Sequence, residues 1–125
     1  MRYLILAAAL AAAPALAQAP DPAFGNAARF LHRDGAAIYA ATCAGCHMPD
    51  GRGAQGAGAY PALAGNPRLD PPDYLLSVIQ RGRHGMPGFS AMLDDAQVAA
   101  VATYVRASLN GQAGAVTPEQ ARAAR

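Results

Sequence analysis

Lysine is absent from this 125-residue chain: all ten basic side chains are arginine, set against eight acids. A formal charge of +2 gives no large positive field of the kind that nucleic acid or an acidic membrane attracts, so neither is expected as a partner. Without lysine there is also no G-x-x-x-x-G-K-[ST] phosphate loop, although glycine is plentiful between residues 48 and 66. Cysteine is scarce. Cys43 and Cys46 are the only two, and His32 and His84 are remote from them in sequence, which leaves a zinc site short of ligands. No strand-helix-strand pattern surrounds the pair, which argues against a thiol/disulfide oxidoreductase. The apolar run from Leu4 to Ala13 is too short to span a bilayer, and neither an internal repeat nor a second domain is visible.

What the chain does contain is Cys43-Ala44-Gly45-Cys46-His47, the C-x-x-C-H pattern of a c-type haem attachment site. Two thiols three positions apart lie about one helical turn from each other, so both can add to the vinyl groups of one porphyrin. The adjacent imidazole is then an iron ligand, and the thioethers keep the ring in place whatever the oxidation state of the metal. One covalently bound haem c is the expected cofactor. A chain wrapped closely around a flat group needs little side-chain bulk, which accounts for Gly51, Gly53, Gly56, Gly58 and Gly65 in the following loop.

Met1-Arg2-Tyr3, the short apolar run and Ala15-Leu16-Ala17 form the three parts of a secretory signal. Cleavage is expected after Ala17; an alternative end at Ala19 would leave Pro20 first. The expected location is therefore periplasmic, with membrane contact only through a partner or an uncleaved signal. Residues 1–17 are read as signal, 18–33 as an arm, 34–111 as the domain and 112–125 as a tail. Loss of Arg2 with the signal leaves nine arginines against eight acids. Two haem propionates would bring that balance to about −1, so docking on a redox partner must use a local patch.

Within the arm, Phe24, Phe30 and Leu31 are the residues expected to lie against the domain, and His32 is expected at the surface. Asp34 caps a first helix leading into Cys43, with Gly35 and Tyr39 on one face. Pro- and Gly-rich spacing makes residues 48–66 a loop. Asp70-Pro71-Pro72-Asp73 then predicts a helix start and Gly82 its end. The loop Gly82 to Phe89 carries Met86. Asp94 and Gln97 predict a capping box for the last clear helix, whose apolar face is Val98, Val101, Ala102, Tyr104 and Val105 and whose stop is Asn110-Gly111. Thr117-Pro118-Glu119-Gln120 has the form of another helix start, too near the end of the sequence to stand without packing.

Over 34–110 the chain resembles the small class I cytochromes c. The residues that carry the likeness are Cys43, Cys46 and His47; Gly35 and Tyr39; Tyr60-Pro61-Ala62-Leu63-Ala64-Gly65-Asn66; Gly85-Met86-Pro87; and Tyr104-Val105-Arg106. The stretch from Met48 to Gly53 and the tail around Val116 to Glu119 look most like cytochrome subunits serving periplasmic dehydrogenases. The resemblance implies an all-α fold of three to four short helices around one haem, with Gly35, Tyr39, Val101 and Tyr104 at the crossing of the first and last helices. It places Tyr60 and Pro61 beside the cofactor and makes the Pro61 carbonyl the partner of the His47 imidazole. For the second axial position Met86 matches the family, with Met92 and His84 as alternatives; Met92, just before the Asp94 cap, has the apolar packing role expected of it. Met86 fills the iron's last position and implies a carrier of single electrons, not an enzyme, working between a dehydrogenase and a terminal oxidase or another cytochrome, as a monomer or a subunit of a complex. An open distal site would instead imply a peroxidase-like haem enzyme or a haem-based sensor. Covalent attachment has a direct test: haem should stay with the chain through acid-acetone extraction, whereas a chain mass equal to that of the bare polypeptide would overturn the assignment.

Overall fold

In the computed structural model, which describes residues 30–56 and 58–125, Asp34 opens the first helix as its sequence position predicts. Its carboxylate accepts the Ala37 N–H at 2.9 Å, satisfying one of the amides that a helix start leaves free. The residues read as signal and most of those read as arm, Phe24 included, lie outside the described residues. The first rod has three consecutive parts: α1 (Gly35–Ile38), a π-helical turn (Tyr39–Cys43) and α2 (Ala44–His47). A ribbon follows, β1 (Ala54–Gln55) paired antiparallel with β2 (Ala59–Tyr60). After a 3₁₀ turn (Pro67–Leu69) come α3 (Pro72–Arg81), α4 (Asp95–Asn110) and α5 (Pro118–Ala123). The expected all-α architecture therefore holds, apart from a ribbon of two residues per strand inside the predicted loop. Among the described residues no helix is long and apolar enough to cross a membrane.

The helix boundaries come from the signals expected, with one exception. Asp94 accepts the Gln97 N–H at 2.9 Å and Gln97 Oε1 accepts the Asp94 N–H at 3.0 Å, a reciprocal box at the start of α4. Gly111 ends α4 with φ +64°, in the left-handed region. The exception is Asp70: α3 starts on Pro71 with Pro72 in its first turn and no side-chain cap. Asp70 instead accepts a 2.9 Å ion-paired hydrogen bond from Arg106 Nη2. Arg106 is buried and also donates from Nη1 to the Gly114 carbonyl at 3.0 Å. A buried guanidinium needs such partners, and a carboxylate from across the fold outcompetes local capping.

The core joins the first rod to α3 and α4 through Ile38, Tyr39, Leu75, Leu76, Ile79, Val98, Val101, Ala102 and Val105, all buried. Each fully buried aliphatic side chain of this size contributes roughly 1.5–3 kcal/mol. Where the rod crosses α4, Gly35 is forced to be glycine, since a Cβ there would sit 2.3 Å from the Ala100 carbonyl oxygen and 3.0 Å from Tyr104 Cβ. Tyr39 and Tyr104 fill the crossing with ring centroids 5.2 Å apart.

The described end of the arm lies on α4 by its backbone. Gln97 Nε2 donates to the carbonyls of Phe30 at 2.6 Å and His32 at 2.7 Å, and Arg33 pairs with Asp94. Phe30 packs against the core, but Leu31 is 82% exposed, contrary to the expectation that it would lie against the domain. The residues read as a tail carry α5, with its own capping box between Thr117 and Gln120 and with Val116 and Ala121 buried. Packing thus provides what a helix of six residues lacks by itself. Gly35→Ala should lower stability by about 1–3 kcal/mol through overpacking. In thermal unfolding Gly56→Ala, where an added Cβ meets nothing within 4 Å, should match the parent; equal Tm values for the two variants would contradict the crossing.

Candidate haem site

Both cysteines are free thiols on the first rod, Cys43 at the end of the π-helical turn and Cys46 in α2. The π-helical turn is a register change: the Ala44 N–H reaches back five residues to the Tyr39 carbonyl. One residue is thereby added to the turn, which rotates everything after it by about 100° relative to an uninterrupted α-helix. Thr42 Oγ1 donates to the Ile38 carbonyl at 2.7 Å, an extra bond at the point of change. No sequence signal used above marks this turn.

Electrostatics sets Cys43 apart from an attacking redox thiol. Burial pushes the Cys43 thiol up, the contact with Thr42 Oγ1 at 3.4 Å draws it partly back, and the neighbouring Cys46 adds to the rise. A thiol/disulfide oxidoreductase needs the opposite, an attacking thiol held low.

His47 is buried at the end of α2, and its Nδ1 lies 2.9 Å from the Pro61 carbonyl oxygen, the partner that the resemblance assigns to it. A carbonyl only accepts, so Nδ1 carries the proton and the lone pair is on Nε2, the nitrogen available to a metal. The loop is folded back to make this bond. The Gly53 N–H donates to the His47 carbonyl at 3.0 Å, and a Cβ on Gly53 would lie 2.2 Å from the Tyr60 carbonyl oxygen. Leu63 and Ala64 N–H groups donate to the Gly51 carbonyl at 2.7 and 2.9 Å, and Asn110 Nδ2 ties Leu63 to α4 at 3.0 Å. Tyr39 Oη donates to the Met48 carbonyl at 2.8 Å and fixes the start of the same loop. Tyr60 itself is 43% exposed in β2.

Met86 stands in a second loop. Arg83 and Met86 exchange both backbone bonds at 3.0 Å, closing a tight turn through His84, whose φ is +53°, and Gly85. Gly82 and Gly88 press this loop onto the end of α3: a Cβ on Gly82 would be 2.4 Å from the Met86 carbonyl oxygen, and one on Gly88 2.5 Å from that of Gln80. Met86 is half-buried, His84 is exposed, and Met92 is 39% exposed, so Met92 does not have the packing role expected of it.

The donor set fits a haem. Two free thiols one turn apart, an imidazole with Nε2 left over and a thioether on a constrained loop are the ligand types that the group uses. The supporting contacts of Gly53, Asn110 and Arg106, which the sequence shows only as a loop glycine, a helix stop and part of a family motif, run across the fold. For Arg106 a signal existed, since it follows Ala102 by four positions on the apolar face of α4.

A family model described as cytochrome c oxidase, cbb3-type, subunit III, matches residues 31–105, more than half of the chain. Among similar proteins, the fructose dehydrogenase cytochrome subunit of Gluconobacter japonicus is 39% identical over 87 aligned positions, covering 58% of this chain and 18% of the relative. The cytochrome c subunit of a quinone alcohol dehydrogenase from Gluconacetobacter polyoxogenes is 37% identical over 97 positions, covering 66% and 20%. A cytochrome c6 from Synechococcus sp. is 33% identical over 73 positions, covering 58% and 65%. The chain thus spans about a fifth of the length of the dehydrogenase subunits it matches.

Burial pushes the Tyr39 phenol up to about 12, with Cys43, Tyr104 and Asp50 adding to the effect. A folded value above the unfolded one means that the contribution to stability is complete below about pH 10 and is lost as pH rises toward the folded value. Unfolding measured between pH 9 and pH 12 should therefore show falling stability, and Tyr39→Phe should flatten that fall while losing the bond to Met48. An unchanged slope in the variant would mean that another group titrates.

Proposed function

The chain belongs to the cytochrome c family described as cytochrome c oxidase, cbb3-type, subunit III, and on that premise we propose that it is an exported one-electron carrier serving a dehydrogenase. Covalently bound haem c and electron transfer are the family's properties. In the proposed arrangement Cys43 and Cys46 hold the haem, and His47 and Met86 ligate its iron. The observation that carries this reading is the His47 Nδ1 contact with Pro61 directly beside the two free thiols.

When bound, the haem supplies an iron that gains and loses one electron. The chain's own residues orient the ligands and limit rearrangement. Pro61 fixes the tautomer and the plane of His47 through a hydrogen bond to a backbone carbonyl, which also makes the imidazole a better donor. Met86 offers a soft thioether that favours the ferrous state. Its loop is held by the Arg83 bridge and by the close approach of Gly82 and Gly88, whereas Met92 is on an exposed turn and His84 is exposed with positive φ. These differences favour Met86 as the second ligand. With His47 and Met86 both on the iron no position would be left open, which would suit electron transfer better than binding or turning over a substrate there.

The relatives support a dehydrogenase as the donor. Fructose dehydrogenase and quinone alcohol dehydrogenase have cytochrome subunits that resemble this chain, and a periplasmic dehydrogenase handing electrons to it is the corresponding assignment. The acceptor would be a terminal oxidase or another cytochrome. Meeting either requires little long-range steering, since the chain's arginines and acids nearly cancel.

Replacing Met86 by alanine should abolish the weak ferric band at the red end of the spectrum. It should also lower the potential by on the order of 0.1 V, a fraction of the roughly 0.8 V over which axial ligands tune haem. Met92→Ala should leave both unchanged. Loss of the band only in the Met92 variant would exchange the assignments.

A further inference from the structure

The loop that carries Met86 is held at both ends by α5 and the two residues after it, outside the region matched to the family model, which stops at residue 105. On the entry side, α3 presents Gln80 and Arg81. Gln80, almost fully buried, donates from Nε2 to the Ala121 carbonyl, and Arg81 Nη2 donates to the carbonyls of Ala124 at 2.8 Å and Arg125 at 3.2 Å. On the exit side the grip runs the other way. Arg125 donates from Nη1 to the Ser90 carbonyl at 3.0 Å and from Nη2 to that of Leu93 at 3.4 Å, while its Nε pairs with Asp95 at 2.7 Å. Entry and exit are themselves joined, by Phe89 N–H to the Ile79 carbonyl at 2.9 Å and Ser90 N–H to that of Gln80 at 3.3 Å. A fork that spans a carboxylate and two carbonyls is a task for arginine and not for lysine.

We propose that α5 is a strap on the Met86 loop and that Arg125 is a positioning residue which sets how readily Met86 gives up the iron to a competing ligand. The proposal rests on the assignment of Met86 as axial ligand. Loops open locally at a cost set by the contacts they break, and the exit of this one cannot lift from α3 without releasing Ser90 and Leu93 from Arg125. Arg122, in the last turn of α5, provides the comparison: it pairs with Asp95 at 3.1 Å, as Arg125 just beyond the helix does. It is not bonded to Ser90 or Leu93, so it shares the ion pair without the grip on the loop exit.

The test is a titration of the ferric holoprotein with imidazole, followed by the loss of the red-end band, alongside thermal unfolding. Arg125→Ala should bind imidazole about tenfold more tightly than the parent, the effect of making local opening easier, whereas Arg122→Ala should stay within about twofold. Arg125→Lys keeps a charge facing Asp95 but cannot fork, so it should retain most of the parent's Tm and still bind imidazole more tightly. Equal imidazole affinities in Arg125→Ala and Arg122→Ala, or full restoration by lysine, would overturn the strap. Failure of the underlying assignment looks different: the band would then survive in Met86→Ala, whatever the Arg125 variants do.

Discussion

A hydrogen bond between His47 Nδ1 and the Pro61 carbonyl joins two segments fourteen residues apart, and most of the intervening chain is arranged to permit it. For that carbonyl to reach the imidazole, residues 60–61 must pass against residue 53 at a distance that any side chain would block. The loop must also be fastened at Gly51 and again at Asn110 on α4. Gly51 and Gly53 are therefore not spare flexibility. Gly53 is a contact, made by the absence of a Cβ. A ligand histidine, the role proposed for His47, is useful only in one tautomer, and a backbone acceptor imposes that tautomer here without adding a charge beside the ring.

Features read correctly from the sequence share a short range. Asp34, the Asp94/Gln97 box and Gly111 act on amides and carbonyls within four residues, so their chemistry is visible in a window of that length. Gly35 and Tyr39 were legible because four-residue spacing puts them on one face, and the structure places that face on Ala100 and Tyr104. Asp70 shows where such reasoning ends. Its local context is that of a cap, but a buried arginine thirty-six residues away is a stronger partner than a single backbone amide. Leu31 and Met92 fail similarly, since an apolar side chain near a helix start is buried only if something covers it, and here nothing among the described residues does so fully. The π-helical turn had no signal in composition or period, because it is a change in hydrogen-bond register and not in residue type.

Absence of lysine acquires a structural meaning once the arginines are located. Arg33 pairs with Asp94, Arg106 with Asp70, and Arg122 and Arg125 with Asp95, while Arg81 binds the carbonyls of Ala124 and Arg125 just after α5. Arg106 and Arg125 spread several nitrogens of a planar fork over a carboxylate and carbonyls, which an ammonium reproduces poorly. The carboxylates respond. Asp94 is held below its ordinary range mainly by the Gln97 amide and further by Arg33, and Asp95 by hydrogen bonds from Arg125 and Arg122. These pairs favour the fold above the ordinary carboxylate range and are lost as pH falls through the lowered values.

Internal pairing also limits what the charges can do outside the chain. A cation whose carboxylate partner is about 3 Å away projects little field beyond it, and salt at physiological strength screens the remainder within about 8 Å. Arg83 illustrates the alternative use of charge, since its guanidinium lies over the exposed Tyr74 ring, 5.9 Å from the centroid, and so keeps to the surface of α3. If the arginines are committed to holding helices and loops together, recognition of a redox partner has to come from shape and apolar contact close to the cofactor. That fits a chain whose dehydrogenase relatives carry comparable sequence as part of a much longer subunit: a module held beside its donor by its surroundings has less need of long-range steering than a carrier that must find the donor by diffusion.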